Sequence, residues 1–351
     1  MPRSLTIRAG RAARATIAEH GFDRELFSTM VGASGGPKWL VLSRLDRLLH
    51  ERVLSGRKSP IDLIGSSIGS FRHACHAQRD APAALDRFED AYIEQAYGRE
   101  PTPAEVTAES RRILAMMLGD TGRREIVENA VLRSNIVAVR SRAGVRADRR
   151  LPLALGLGVA AAANAVSRRA LGLFFERAVF GPARSTVSFN GFTTHSVPLT
   201  VDNLADALTA SGSIPLVMAG VHDVAGAPAG VYRDGGIIDY HFDFRFRARD
   251  GLVLYPHFFD RITPGWFDKG LRRRRPAPQD LDRVVMISPA NAFIARLPGG
   301  RVPDRGDFRD YSTAERIRIW RGVVDGCREM ADELGDLIDG GHIADCMEVF
   351  E

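Results

Sequence analysis

Short apolar runs closed by glycine alternate with stretches of helical periodicity through the first half of the chain. Leu26 to Val31 is an apolar run ending at Gly32, and a helical pattern follows from Trp39 to Leu49. Ile61-Asp62-Leu63-Ile64 is a second short strand closed by Gly65, with a helix predicted to begin near Ser70. Two strand–glycine turn–helix units in succession point to a layered α/β domain. Helices are predicted over 82–97 and 104–118, with prolines where they open, and Asn135 to Arg140 reads as another core strand. Beyond Val197-Pro198-Leu199 the pattern gives a helix after the cap candidate Asp202 and strands at 230–233, 252–255 and 283–287. It closes with one long helix over 312–338, softened by Gly322 and Gly326. No internal repeat or linker divides the sequence, so residues 1–351 read as one domain.

Residues 151–180 differ in character. They run through four consecutive alanines, Ala160 to Ala163, to Leu171-Gly172-Leu173-Phe174-Phe175. A membrane span needs about 20 apolar residues. The stretch before Arg168 is short for that and holds Pro152, Gly156, Gly158 and Asn164. It reads either as a buried core helix or as a lid over an apolar pocket, an apolar insertion at 141–185. The flanking pairs Arg149-Arg150 and Arg168-Arg169 also suit a helix lying in a membrane interface.

Composition narrows the class. Apolar residues make up 45% and charged residues 26% of the 351, an ordinary globular mixture. The formal charge of +5 is spread among mixed signs, which argues against a nucleic-acid partner. The exception is the run Arg272 to Arg275, a solvated loop or a contact for anionic headgroups. Cys75, Cys327 and Cys346 form no CxxC pair, so neither a metal site nor a disulfide framework is expected. Arg3, Arg8, Arg11 and Arg14 are followed by no apolar signal core, and residues 8–20 read as a short helix leading into a strand. The expected location is cytoplasmic, with room for peripheral membrane contact.

Three short motifs carry chemistry. Gly65-Ser66-Ser67-Ile68-Gly69 fits G-x-S-x-G between a strand and a helix, where a tight turn pushes the serine oxygen clear of the backbone. The helix N-terminus behind it favours developing negative charge. Gly32 to Lys38 (GASGGPK) closes the preceding strand, and its backbone N–H groups can aim at one oxyanion or phosphate. A phosphate loop fits poorly, because Pro37 precedes the lysine and Trp39 stands where Ser or Thr is needed. Neighbouring parallel strands would bring this loop and the serine turn together. Asp234-Gly235-Gly236 ends a third strand, where the aspartate is either a turn former or a base within reach of Ser67.

The ordered set GASGGPK, GSSIG, ALTASGSIPLVMAGV and YRDGGIIDYHFD resembles the patatin-like phospholipases over roughly residues 26–245. The resemblance implies a three-layer α/β/α sandwich with a central, mostly parallel sheet. It also implies hydrolysis of lipid or other acyl esters through a Ser–Asp dyad and an acyl-enzyme, with no cofactor. On that match Ser67 is the nucleophile, Asp234 the base, Gly35 and Gly36 the oxyanion donors, and Gly65 and Gly69 the elbow glycines. Lys38 takes the family's basic position and is either a substrate contact or a structural ion-pair partner. Trp39 stands where that family has glycine, and Pro37 has no N–H to donate, so the detailed shape of the loop is open.

Two rivals stand beside this reading. A Ser-His-Asp esterase shares the serine motif and would draw on His241, His257 or His342. A non-catalytic lipid-binding scaffold of the same fold would need neither Ser67 nor Asp234 intact.

Overall fold

The computed structural model describes residues 3–350, apart from 99, 184–186, 245 and 248–249. Eleven strands form one sheet: β1 (Leu5–Ala9), β2 (Phe27–Gly32), β3 (Ile61–Ser66), β4 (Leu132–Ser141), β5 (Phe175–Gly181), β6 (Thr194–Pro198), β7 (Val221–His222), β8 (Val231–Asp234), β9 (Leu252–Pro256), β10 (Val284–Pro289) and β11 (Met347–Val349). Their order is β11-β1-β10-β9-β2-β3-β4-β5-β6, with β8 on β4 and β7 on β8. The central run from β10 to β4 is parallel. Every residue of β2 and β3 is buried, Ser28, Thr29 and Asp62 included, which is why neither strand alternates apolar and polar positions as a half-exposed one would. Helices cover the sheet in a three-layer α/β/α arrangement, the layered α/β domain that the strand–helix alternation predicts and the sandwich that the resemblance implies.

The predicted helices sit close to their expected bounds, at Ala81–Glu94 and Pro103–Leu118. The second is fixed at its start by Pro103 and by a reciprocal capping box between Thr102 and Glu105. Three expectations need revision. The C-terminal helix is two helices, Thr313–Gly326 and Arg328–Asp339, broken at Cys327. The helix after Asp202 starts at Leu204, and Asn203 rather than Asp202 holds the turn, its Oδ1 accepting from the Thr200 N–H at 2.8 Å.

The third revision concerns the stretch 141–185, which divides in two; its last two residues lie outside the described ones. Arg150–Val166 is a helix, with Leu153, Leu157, Ala160 and Asn164 buried. Phe175–Gly181, by contrast, is a fully buried strand of the main sheet, antiparallel to β4. Phe175 is therefore core and no part of a movable cover. Its strand was hidden by Glu176 and Arg177, whose charges are paired inside the protein. Arg177 makes a bidentate pair with Asp239, at 2.7 and 2.8 Å, and both side chains are 1% exposed.

Candidate active site

Strand register brings the two motif residues together. β3 runs parallel to β4 and ends with Ser66 opposite Val137. β8 runs antiparallel along the same edge of β4 and ends with Asp234 opposite Ala138. Two strands thus approach head-on along one neighbour, and the residue after Ser66 meets the last residue of β8. Ser67 Oγ donates a 2.8 Å hydrogen bond to Asp234 Oδ2 across 167 residues of sequence.

Local geometry follows from close packing. The helix Ile68–His76 seats against the end of β2 so tightly that a Cβ on Gly69 would lie 2.1 Å from the Gly32 carbonyl oxygen. A Cβ on Gly235 would lie 2.2 Å from the Val137 oxygen. Between these constraints Ser67 is held at φ 52°, ψ −130°, a left-handed conformation that non-glycine residues adopt only when the surroundings over-determine it. The Ser67 N–H donates to Ser211 Oγ at 2.9 Å, and Ser211 Oγ donates to the Val137 carbonyl at 2.6 Å. The Gly236 N–H donates to Asp234 Oδ1 at 2.7 Å, so both carboxylate oxygens are fixed. Ser66 Oγ donates to the Asp239 carbonyl at 2.7 Å, which ties the serine turn to the Arg177–Asp239 pair.

The glycine-rich loop lies beside this contact because β2 and β3 are adjacent and in register, Gly32 opposite Gly65. Gly36 has φ +56° and opens a 3₁₀ helix, where an N–H has no intrahelical acceptor. Gly36 lines a cavity together with Ser67, whereas Gly35 packs on the Phe258 ring. Pro37 occupies the first turn of that helix, where no N–H is required, and Trp39 stacks on Phe88 in the core at 4.6 Å between centroids. Lys38 pairs with Asp304 and lines neither cavity that reaches Ser67.

Two cavities meet at Ser67. One, of about 300 Å³, is walled by Ile68, Phe71, Phe88, Ile113, Ile214 and Met218, among other chiefly apolar groups. The other is a small polar cleft lined by Asp234, Tyr240, Trp266, Lys269 and Arg305. Arg305 borders both, and its Nε lies 3.0 Å from where a Gly36 Cβ would be. Lys269 Nζ stands 4.2 Å from the Tyr240 ring centroid and 5.8 Å from that of Trp266. Sequence reasoning missed both cations, which sit in segments without a recognisable motif.

Burial pushes the Asp234 carboxyl above its ordinary pKa, while the Ser67 hydroxyl, Arg305, the Gly236 N–H and Lys269 pull the other way. Burial lowers Lys269 to about 8, helped by Arg305. Burial, with Lys269 and Arg305 nearby, does the same to Lys38. No histidine lines either cavity. His241 is buried, with Nδ1 accepting from the Thr263 N–H at 3.0 Å, and His257 is buried against the Phe259 backbone. Burial holds His241 well below its ordinary pKa and His257 at about 3. His342 is exposed beside Asp345. Among the described residues no cluster of His, Cys, Asp or Glu could hold a metal ion.

No family model matches the chain, and no curated protein does. Among solved structures, human GIVD cytosolic phospholipase A2 aligns with a TM-score of 0.44 at 10% identity, over 98% of this chain and 66% of that one. The same enzyme in complex with methyl gamma-linolenyl fluorophosphonate and terbium chloride gives 0.35 at 11% identity, over 98% and 67%. The chain therefore spans about two thirds of the length of the structure it resembles.

Proposed function

We propose that the chain hydrolyses carboxylic esters of lipid type, with Ser67 as nucleophile and Asp234 as the only proton carrier. The observation that carries this reading is the 2.8 Å hydrogen bond from Ser67 Oγ to Asp234 Oδ2 at the junction of the two cavities.

The chemistry follows from the groups present. Asp234 accepts the hydroxyl proton as Ser67 Oγ attacks the ester carbon, and the carbonyl oxygen becomes an oxyanion. Gly36, which borders the cavity beside Ser67, is assigned the first oxyanion N–H and Gly35 the second, with the Arg305 guanidinium beside Gly36 adding positive charge. Collapse breaks the ester C–O bond, and the alcohol leaves with the proton that Asp234 returns. Water then attacks the acyl-enzyme, again losing its proton to Asp234, and Ser67 leaves with that proton. A carboxylate raised by burial is a stronger base than an exposed one, as proton abstraction from an alcohol requires.

Substrate parts are assigned by the walls. The apolar cavity takes the acyl chain, and the cleft with Lys269 and Arg305 takes the alcohol portion, favouring one that carries negative charge. Hydrolysis of p-nitrophenyl esters of increasing chain length tests the reading: the purified protein turns over these esters with a preference for chains that fill the cavity. No turnover of any ester above the rate of the Ser67→Ala protein would overturn it.

A further inference from the structure

We infer that the solvent face of the helix Arg150–Val166 is a docking surface for an anionic lipid bilayer. This goes beyond hydrolysis, and its binding test stands independently of it.

The helix has an unusual outer side. Its inner face buries Leu153, Leu157 and Ala160 in one apolar cluster with Val145, Leu171, Ile237 and Ile238, the last two just after Asp234-Gly235-Gly236. Its outer face carries Leu151, Leu155, Val159 and Val166, which are 70%, 64%, 59% and 89% exposed. Residues 151–167 include no charged side chain, whereas a helix on a protein surface ordinarily shows a polar outer stripe. Leu173, 69% exposed, extends the same apolar ground beyond the helix. Seventeen residues with this face do not make a span: no helix among the described residues is long and apolar enough to cross a membrane.

Charge at the two ends selects the occupant. Arg149 and Arg150 stand at one end, exposed and with no ion pair among the described residues. At the other end Arg274 binds the helix directly, with Nη1 2.9 Å from Asn164 Oδ1 and 2.9 Å from Asp268 Oδ1. That staple holds Arg272 and Arg273, two and one residues before it, toward this end of the helix, which Arg168-Arg169 follow; Arg169, Arg272 and Arg273 are exposed and make no ion pair among the described residues. An apolar strip with cations at both ends complements a bilayer with anionic headgroups, where aliphatic side chains enter the acyl boundary and guanidinium groups stay at phosphate depth. A second copy of the chain packed on this strip would bring arginines against arginines or against bare apolar surface, since residues 149–169 include no acid.

The surface is wired to the cleft. Asn164 Nδ2 donates to Asp268 Oδ1 at 2.8 Å, and Asp268 lies in the loop that presents Trp266 and Lys269 to Asp234. The helix is thus tied through its buried side to the loop that lines the polar cleft.

Cosedimentation of the full chain, as Ser67→Ala, with vesicles of phosphatidylcholine alone or mixed equally with phosphatidylglycerol tests the inference. Binding to the mixed vesicles is expected to exceed that to neutral ones by at least about tenfold and to fall with salt. Leu155→Glu should weaken it by about tenfold or more, and Arg272→Gln with Arg273→Gln by about fivefold per charge. In the Ser67 background these three substitutions should leave hydrolysis of a short soluble ester unchanged, since none touches either cavity. Equal binding by all variants, or none by the parent, overturns the inference. So does a Leu155→Glu chain that changes from dimer to monomer in sedimentation while its vesicle binding is unaltered. The arginine pair lies on an exposed loop, so its result stands even where Leu155→Glu fails to fold.

Discussion

Ser67 Oγ and Asp234 Oδ2 are 2.8 Å apart with no imidazole between them. In a triad the carboxylate acts through a histidine; here it touches the hydroxyl itself, because β3 and β8 end at adjacent positions on one edge of β4. A two-member unit predicts strong non-additivity. Ser67→Ala and Asp234→Asn should each lower kcat by about 10⁴-fold, and the double variant should be hardly worse than the single ones. Multiplying losses in the double variant, measured by steady-state kinetics, would mean the two residues act separately.

Asp234 also predicts a conflict between function and stability. Its carboxyl titrates above the usual range in the folded protein, so the native state holds that proton more tightly than the unfolded chain does. Stability from this group therefore declines as pH rises from the ordinary aspartate pKa, about 3.9, through the raised folded value. Above that value the buried charge opposes folding. Asn carries no charge and can still accept from the Gly236 N–H. Asp234→Asn should thus melt at or above the parent temperature near neutral pH, the difference shrinking below about pH 4. The parent's kcat/KM should show an acid limb with its midpoint above about 3.9. A lower melting temperature at neutral pH would show that the charge is stabilised rather than strained.

The buried histidines predict a negative result. His241→Gln should keep activity within a few-fold where the chain folds, because the imidazole is bonded to backbone and faces neither cavity. His342→Ala should be silent. A loss near 10⁴-fold in either, with circular dichroism unchanged, would favour a triad.

The apolar cavity predicts chain-length selectivity. Val106 lines it and is only partly buried, so Val106→Phe can fill space without disturbing the core. Turnover of long-chain esters should fall by about tenfold or more relative to a short one, the scale of a lost methylene site. Parallel falls for both would place the acyl chain elsewhere.

Much of this was legible in the sequence where chemistry is local. The β2 and β3 runs, their glycine turns and the serine between strand and helix are set by neighbouring residues alone. Where partners are distant, sequence reading failed. Glu176 and Arg177 look like a polar interruption after Phe175, yet Arg177 is neutralised by Asp239, 62 residues away, and the segment is an inner strand. Arg274 sits in a run that reads as a solvated loop, but it is bound to Asn164 and Asp268. Arg305 and Lys269 converge on Asp234 from segments without a pattern, and only tertiary folding brings them there.

Covalent labelling shows whether Ser67 is a nucleophile activated by Asp234. The folded protein is treated with a long-chain alkyl fluorophosphonate, and the modified site is mapped by peptide mass spectrometry. Stoichiometric modification at Ser67 is predicted, with labelling of Asp234→Asn slowed by orders of magnitude despite an intact Ser67. An unmodified Ser67 would mean that it is no nucleophile, and equal labelling rates in the two proteins would mean that Asp234 does not activate it.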